Sequence, residues 1–321
     1  MFDPVIIVGA PRSGTSMLQK VIREHPDFRS VPRESGFIWM NFVHPSYNDW
    51  KGEGICSSQI TESMQKNIRA KFDQTAIASA SWRLVDQLGI MRNPYSATLA
   101  RFIYRYFSSV IKTMLAWRAT KTSSGPPRLV DKSVHAGLWL PLVDAVFPNA
   151  CYIHLVRSPE RSVPSMINGW RESKRFNTYT LPRAIHIQEL GATRQWCFPL
   201  PQDWAVLDGS KLAEVCAFQW SAINIAVDDY LTQERFNDRY IRFNLENFAA
   251  NPYPYIELIA NILNLPIDSY FKKICQDLPV VNASISRDKN YESKLAQSWE
   301  LTKTHYSQIN QEILPSPSTQ P

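Results

Sequence analysis

Short apolar runs alternate with helical patterns along most of the chain. The opening run Val5–Val8 predicts a buried strand, and the apolar residues of 17–22 recur at helical spacing. Further strand-like runs lie at 28–31, 128–130, 151–156 and 240–243, and further helical patterns at 138–146, 160–170, 211–232 and 252–263. This alternation predicts an α/β fold with a central parallel sheet flanked by helices, and ligands at the carboxyl ends of its strands.

Three stretches depart from this alternation. Residues 57–119 have helical spacing and predict a helical insertion or a layer over the sheet. Residues 171–210 have weak periodicity and many loop residues, which predicts an irregular lid or acceptor loop. The polar end, 315–321, is predicted to be a disordered tail. We expect one domain over residues 1–314.

A glycine-bounded loop follows the first strand. Gly9 and Gly14 have the G-x-x-x-x-G spacing of a phosphate-binding loop, in which turn amides and a helix N-terminus meet an anion. Thr15-Ser16 follow where nucleotide triphosphatases carry Lys-Ser/Thr, and the cation of this loop is Arg12 instead. The loop therefore predicts a phosphate-like ligand, but not a β/γ-phosphate with magnesium.

Composition limits the partners and the compartment. The net charge of +6 suits an anionic ligand, while the lack of a Lys/Arg run argues against nucleic acid. Five scattered cysteines without a C-x-x-C pair predict neither disulfides nor a zinc site, so we expect no metal and a reducing, cytoplasmic environment. No apolar run approaches the ~20 residues of a membrane-spanning helix.

Two later segments could also face phosphate. Arg157 follows a predicted strand, with Ser165 eight residues later on the next helix, and both could hold one phosphate group. The alternative is an arginine that ends a strand and a serine that faces solvent. The polar stretch 282–289, with Ser286 and Lys289, could fold over a nucleotide or form a solvated loop.

Four segments in order resemble sulfotransferases that use 3′-phosphoadenosine 5′-phosphosulfate (PAPS), in their bacterial and Golgi-type branch. Residues 5–20, with Pro-Arg-Ser-Gly-Thr-Ser, resemble the 5′-phosphosulfate loop, and residues 152–170 resemble the 3′-phosphate motif. Residues 131–133 resemble the (E/D)-K-(T/S) segment. Residues 243–252 resemble a fourth family stretch, although Asn244 replaces its more usual tyrosine.

The resemblance implies a P-loop-like sulfotransferase fold and transfer of a sulfuryl group from PAPS to a hydroxyl or amine, which leaves adenosine 3′,5′-bisphosphate. Lys132 would neutralise the bridging oxygen, and the acceptor could be a small molecule, glycan, lipid or peptide. The residues implied in donor binding are Arg12, Ser13, Gly14, Thr15, Ser16, Arg157, Ser165, Ser286 and Lys289.

The transfer needs a base for the acceptor proton. Glu34, after the second predicted strand, is the first choice by resemblance, and His135 and His44 are the alternatives. Phe37 and Trp39, together with the two histidines, could line an acceptor pocket, although core packing explains the aromatic residues equally well.

Two other functions stay open. A nucleotide kinase or triphosphatase is disfavoured by the missing lysine after Gly14. A non-catalytic nucleotide-binding scaffold is disfavoured by the presence of Arg12, Lys132 and Arg157. The sequence leaves open whether the protein is a homodimer.

Overall fold

A computed structural model of the chain describes residues 4–23, 25, 27–31, 34–87, 128–267 and 271. Three sequence predictions lie outside these residues: the segment 282–289 with Ser286 and Lys289, the part of the predicted insertion after 87, and the tail 315–321.

Five parallel strands form the central sheet. They are β1 (Val5–Val8), β2 (Phe28–Arg29), β3 (Arg128–Lys132), β4 (Cys151–Val156) and, after a separate hairpin, β7 (Tyr240–Asn244). The order across the sheet is β2-β3-β1-β4-β7, and Val5 of β1 lies opposite Val130 and Cys151. The predicted parallel sheet is confirmed, and it brings the carboxyl ends of β1, β3 and β4 side by side.

Helices flank the sheet. In chain order they are α1 (Thr15–Arg23), α2 (Gly36–Val43), α3 (Glu62–Gln87), α4 (Leu140–Val146), α5 (Pro159–Arg171), α6 (Ser173–Phe176), α7 (Leu212–Leu231), α8 (Leu245–Ala250) and α9 (Tyr253–Ile262). None of the described helices is long and apolar enough to cross a lipid bilayer.

The core lies where these helices pack on the sheet. Every side chain of β1 and β4 is buried, as expected for strands covered on both faces. Large aromatic residues fill the space between the layers; among the residues whose burial is described, the fully buried tryptophans are Trp39, Trp139, Trp196 and Trp220.

Residues 171–210 are more regular than the sequence predicts. They contain α6 and an antiparallel hairpin of β5 (Asn177–Ile187) and β6 (Gly191–Cys197). Tyr179, Leu181 and Ile185 of β5 are buried, but residues 182–184 between them are exposed, and the pairing register shifts between Thr180 and Ile185. These exposed residues interrupt the alternation that marks a strand. The prediction of an irregular loop is therefore wrong here, while the proposed lid role stays a prediction.

Candidate functional site

The loop between β1 and α1 packs tightly against β4. A Cβ atom on Gly9 would lie 2.4 Å from the carbonyl oxygen of Leu155, and Gly9 has a φ of 153°. Arg12 also has a positive φ, 67°, and Ser13 N donates to Ala10 O at 3.2 Å within the turn. A side chain at Gly9 would push this loop off β4, so glycine fixes the position of Arg12.

Arg12, Arg157 and Ser165 meet in one group, which we name the arginine cluster. Arg12 Nε donates a hydrogen bond to Ser165 Oγ at 2.9 Å. Arg157 Nη1 donates to the backbone oxygen of Arg12 at 3.0 Å. The three residues come from the loop after β1, the end of β4 and α5, so the fold brings together residues that the sequence places up to 153 positions apart.

The arginine cluster carries more positive than negative charge. Among the described residues, no carboxylate forms an ion pair with Arg12 or Arg157. Burial lowers the pKa of the Arg157 guanidinium, the charges of Arg161 and Arg12 lower it further, and Glu246 opposes these effects. Such a group of cations favours an anionic ligand.

The amides of this loop differ in whether they already have a hydrogen-bond partner. The amide of Ser13 already donates to Ala10 O, and the Ser13 side chain is fully buried, with no hydrogen-bond partner for Oγ among the described residues. Helix α1 begins at Thr15, and the first N–H groups of a helix lack intrahelical partners. The amides of Gly14, Thr15 and Ser16 are therefore better placed than that of Ser13 to meet an anion.

The end of β3 is joined to the start of α2 by two adjacent contacts. Lys132 forms an ion pair with Glu34; the side chain of Lys132 is 2% exposed and that of Glu34 is 43% exposed. Next to this pair, Ser35 Oγ donates to Asp131 Oδ2 at 2.6 Å. Burial raises the pKa of Asp131 to about 6, and hydrogen bonds with Ser35 and Trp39 oppose the shift.

The four predicted pocket residues separate into two groups. Trp39 is fully buried and packs edge-on against Phe72 and Trp139, so it belongs to the core, whereas Phe37 is 56% exposed on α2. His44 and His135 both contact the ring of Tyr179, at centroid distances of 5.4 and 6.4 Å. The structure thus links the two histidines through a residue of the hairpin.

Glu53 is a buried residue of this region that the sequence does not reveal. Both of its carboxylate oxygens lie 2.9 Å from His135 Nδ1. It lies between Gly52 and Gly54 in a turn without periodicity, so nothing local marks it, whereas the alternating apolar residues of 179–187 could have revealed Tyr179. We name Glu34, Glu53, Lys132 and His135 the β3 cluster.

The chain was compared with known proteins. The family model described as "Sulfotransferase family" matches residues 4–203. A protein of Caenorhabditis briggsae named as a protein-tyrosine sulfotransferase is 24% identical over 169 residues, which cover 52% of this chain and 44% of that protein. The match therefore spans less than half of the relative's length.

Two solved structures of sulfotransferases are similar to this chain at low sequence identity. The sulfotransferase domain from the curacin biosynthetic pathway is 17% identical, with a TM-score of 0.46 over 84% of this chain and 76% of that domain. The sulfotransferase STF9 from Mycobacterium avium is 13% identical, with a TM-score of 0.45 over 96% of this chain and 76% of its own.

Proposed function

Because this chain belongs to the sulfotransferase family, we propose that it transfers a sulfuryl group from PAPS to a hydroxyl or amine of an acceptor. The observation that carries the proposal is the arginine cluster, in which Arg12, Arg157 and Ser165 meet without a paired carboxylate. It lies at the carboxyl ends of β1 and β4, where ligands bind in parallel α/β sheets. The ribose of PAPS carries a phosphosulfate at its 5′ position and a phosphate at its 3′ position. Both anions suit a cationic group of this kind.

Two groups of residues would bind the two anionic groups of the donor. Arg12 and the amides of Gly14–Ser16 would bind the 5′-phosphosulfate, because helix N-termini and guanidinium groups both favour such anions. Arg157 and Ser165 would bind the 3′-phosphate. Neither role calls for a metal ion, because the donor has no triphosphate for a lysine and magnesium to hold.

Lys132 would stabilise the leaving group. The acceptor oxygen or nitrogen attacks sulfur, and the bond from sulfur to the bridging oxygen breaks with its electron pair on the bisphosphate. An ammonium group beside that oxygen lowers the energy of the charge that develops there. Lys132 is held by Glu34 in this structure, so it would exchange that partner for the donor.

The acceptor proton needs a base, and the β3 cluster offers two. Glu34, the first choice from the sequence, lies beside Lys132 and is partly exposed, while His135 follows three residues after Lys132. The acceptor is open among small molecules, glycans, lipids and peptides. The name of the relative makes the hydroxyl of tyrosine in a peptide the first acceptor to test.

Calorimetric titration with adenosine 3′,5′-bisphosphate tests the donor. We expect saturable binding that is at least about tenfold tighter than that of adenosine 5′-monophosphate, since the 3′-phosphate adds charge-assisted hydrogen bonds of about 1.5–3 kcal/mol. ATP with magnesium serves as the competing ligand. Binding of ATP–magnesium without binding of the bisphosphate would overturn the proposal in favour of a kinase or triphosphatase.

Transfer itself is tested with 35S-labelled PAPS and a panel of tyrosine peptides, phenols, glycans and lipids. Label is expected in at least one class of acceptor. Binding of the bisphosphate without transfer to any acceptor, and without release of labelled sulfate to water, would favour a nucleotide-binding scaffold instead.

A further inference from the structure

Glu53 is held by several hydrogen bonds in the interior of the protein. Its side chain has no exposed surface. Leu200 N donates to Oε1 at 2.7 Å, and Trp139 Nε1 donates to Oε2 at 3.0 Å. Glu53 N in turn donates to Leu200 O at 2.7 Å. The carboxylate is therefore fixed by two separate parts of the chain and cannot turn away from its neighbours without leaving donors unpaired.

A buried carboxylate is tolerated where hydrogen-bond donors surround it. Among the described residues, neither a lysine nor an arginine forms an ion pair with Glu53, and its negative charge meets the N–H groups of Leu200, Trp139 and His135. The pair lies at the meeting point of the turn 51–54, the segment after β3 and the segment after β6. Tyr179 adds a further link, since Glu53 and burial together raise the pKa of its hydroxyl.

The contact decides which nitrogen of His135 carries the proton. A carboxylate oxygen accepts a hydrogen bond, so Nδ1 must donate one, and a neutral imidazole then has its lone pair on Nε2. None of the described residues forms a hydrogen bond with Nε2, and the side chain of His135 is 10% exposed. An imidazole held in this way can accept a proton at Nε2, and the resulting positive charge is stabilised by Glu53.

Glu34 is held differently. Its carboxylate is paired with the buried ammonium of Lys132, so its negative charge already has a partner. A base needs a lone pair free to accept the proton, and Nε2 of His135 has no partner among the described residues. The two candidates for the base thus differ in their partners: the carboxylate of Glu34 is bound to an ammonium group, whereas His135 is bound through Nδ1 only.

We propose that Glu53 is a positioning residue that holds His135 with its proton on Nδ1, so that Nε2 takes the proton of the acceptor. This inference rests on the proposed sulfuryl transfer. As the acceptor oxygen or nitrogen bonds to sulfur, its bond to hydrogen breaks and the proton moves to Nε2. The sulfur–oxygen bond to the bisphosphate breaks, Lys132 neutralises the oxygen that leaves, and His135 later gives its proton to solvent. Glu34 holds Lys132 until the donor binds.

The proton position is tested by long-range 1H–15N NMR of the 15N-labelled protein, in which only six histidines give signals. His135→Gln identifies the signal of His135. We expect a neutral imidazole with its proton on Nδ1 in the wild-type protein and a mixture of tautomers in Glu53→Gln. Asp228→Asn is the matched control, because Asp228 contacts another buried histidine, His154, at 3.4 Å. It should leave the His135 signal unchanged. A proton on Nε2, or a tautomer that Glu53→Gln does not alter, would overturn the inference.

The role in proton transfer is tested by release of adenosine 3′,5′-bisphosphate from PAPS, with 2-naphthol as acceptor and with water alone. Removing a general base typically costs about 10²- to 10⁴-fold, so we expect His135→Gln to lower kcat by at least about 100-fold. Glu53→Gln should lower kcat by roughly 10- to 100-fold with little change in the KM for PAPS, an effect typical of lost orientation. Asp228→Asn should keep the wild-type kcat.

Glu34→Gln decides whether Glu34 or His135 is the base. We expect this variant to lower kcat by less than His135→Gln does. A 100-fold loss in Glu34→Gln, with near wild-type turnover in His135→Gln, would assign the proton to Glu34 and overturn the inference. If instead the calorimetric titration shows no binding of the bisphosphate, the proposed function fails. The NMR measurement of the His135 tautomer does not depend on that result, so the two failures can be told apart.

Discussion

The arginine cluster and the β3 cluster lie at neighbouring strand ends but are built in opposite ways. Arg12 is exposed, Arg157 is partly buried, and neither is paired with a carboxylate among the described residues. In the β3 cluster, Lys132 is paired with Glu34, and His135 lies against Glu53. The arginine cluster therefore has charge available for a ligand. In the β3 cluster, Lys132 must exchange its partner Glu34 for the donor, while Glu53 keeps hold of His135.

This difference indicates two kinds of preorganisation. An unpaired cationic group gains electrostatic energy when an anion arrives, because no internal ion pair has to break. A paired, buried group is held in a fixed geometry, and its reactivity depends on how the pairs rearrange. The comparison predicts that damage to the arginine cluster affects donor affinity, while damage to the β3 cluster affects turnover or its pH dependence.

The largest expected effect comes from Gly9→Ala, which would displace the loop that carries Arg12. The new Cβ would lie 2.4 Å from Leu155 O, at a φ that L-residues rarely adopt. We expect a loss of unfolding free energy of about 3 kcal/mol, measured by urea denaturation. Gly36→Ala is the control, because no atom lies within 4 Å of its Cβ position, and it should be nearly neutral. A Gly9→Ala protein of wild-type stability would show that the loop does not need its close contact with β4.

Asp131 tests the cost of the buried charge at the end of β3. Its pKa, raised from 3.8 to about 6, corresponds to about 3 kcal/mol at 1.36 kcal/mol per unit. The folded protein binds this proton more tightly than the unfolded chain, so the contribution of Asp131 to stability falls as the pH rises from about 4 to 6.

We therefore expect Asp131→Asn to lose this pH dependence. The unfolding free energy of the wild-type protein, minus that of the variant, should fall by up to about 3 kcal/mol between pH 4 and pH 7. Asp203→Asn, at an exposed position, is the control and should leave the slope unchanged. A difference that is constant with pH would mean that Asp131 titrates in its ordinary range.

The two clusters also differ in how far the sequence predicts them. The residues of the arginine cluster lie in motifs that follow predicted strands. The position at strand ends left another explanation open for Arg157 and Ser165, and the resemblance to sulfotransferases grouped them with Arg12. The role of Lys132 was implied by the same resemblance. Glu53 was not predicted, because its contacts with His135 and Leu200 join residues 82 and 147 positions away. Only tertiary packing shows that a glutamate between two glycines is buried.

The hairpin shows a second reason for failure. Its buried residues Tyr179, Leu181 and Ile185 keep a period of two, but Pro182 and the exposed Arg183 interrupt the apolar pattern between them. The fold of the sheet was predictable because its central strand β1 is a continuous apolar run and β4 is apolar apart from His154. The β3 cluster was only partly predictable because the hairpin supplies one of its neighbours, Tyr179.

Arg157→Ala tests the assignment of the arginine cluster to the donor. We expect binding of adenosine 3′,5′-bisphosphate to weaken by roughly 1.5–3 kcal/mol, or about 10- to 150-fold, since a charged hydrogen-bond donor is lost. Binding of adenosine 5′-monophosphate should change much less. Arg171→Ala, an exposed arginine at the end of α5, is the matched control in the calorimetric titration. Equal losses for both nucleotides would place Arg157 away from the 3′-phosphate.

Ser165→Ala gives the smallest effect and separates positioning from charge. The variant removes the acceptor of the 2.9 Å hydrogen bond from Arg12 Nε but keeps every cation of the cluster. A single hydrogen bond contributes about 1 kcal/mol, so we expect the affinity for the bisphosphate to fall by about fivefold. Ser46→Ala, an exposed serine after α2, is the control. Because Ser165 is also proposed to bind the 3′-phosphate, the variant is titrated with adenosine 5′-monophosphate as well. A loss as large as that of Arg157→Ala for both nucleotides would mean that the orientation of Arg12, and not only the unpaired charge of the cluster, determines donor affinity. The arginine cluster would then depend on internal hydrogen bonds as much as the β3 cluster does.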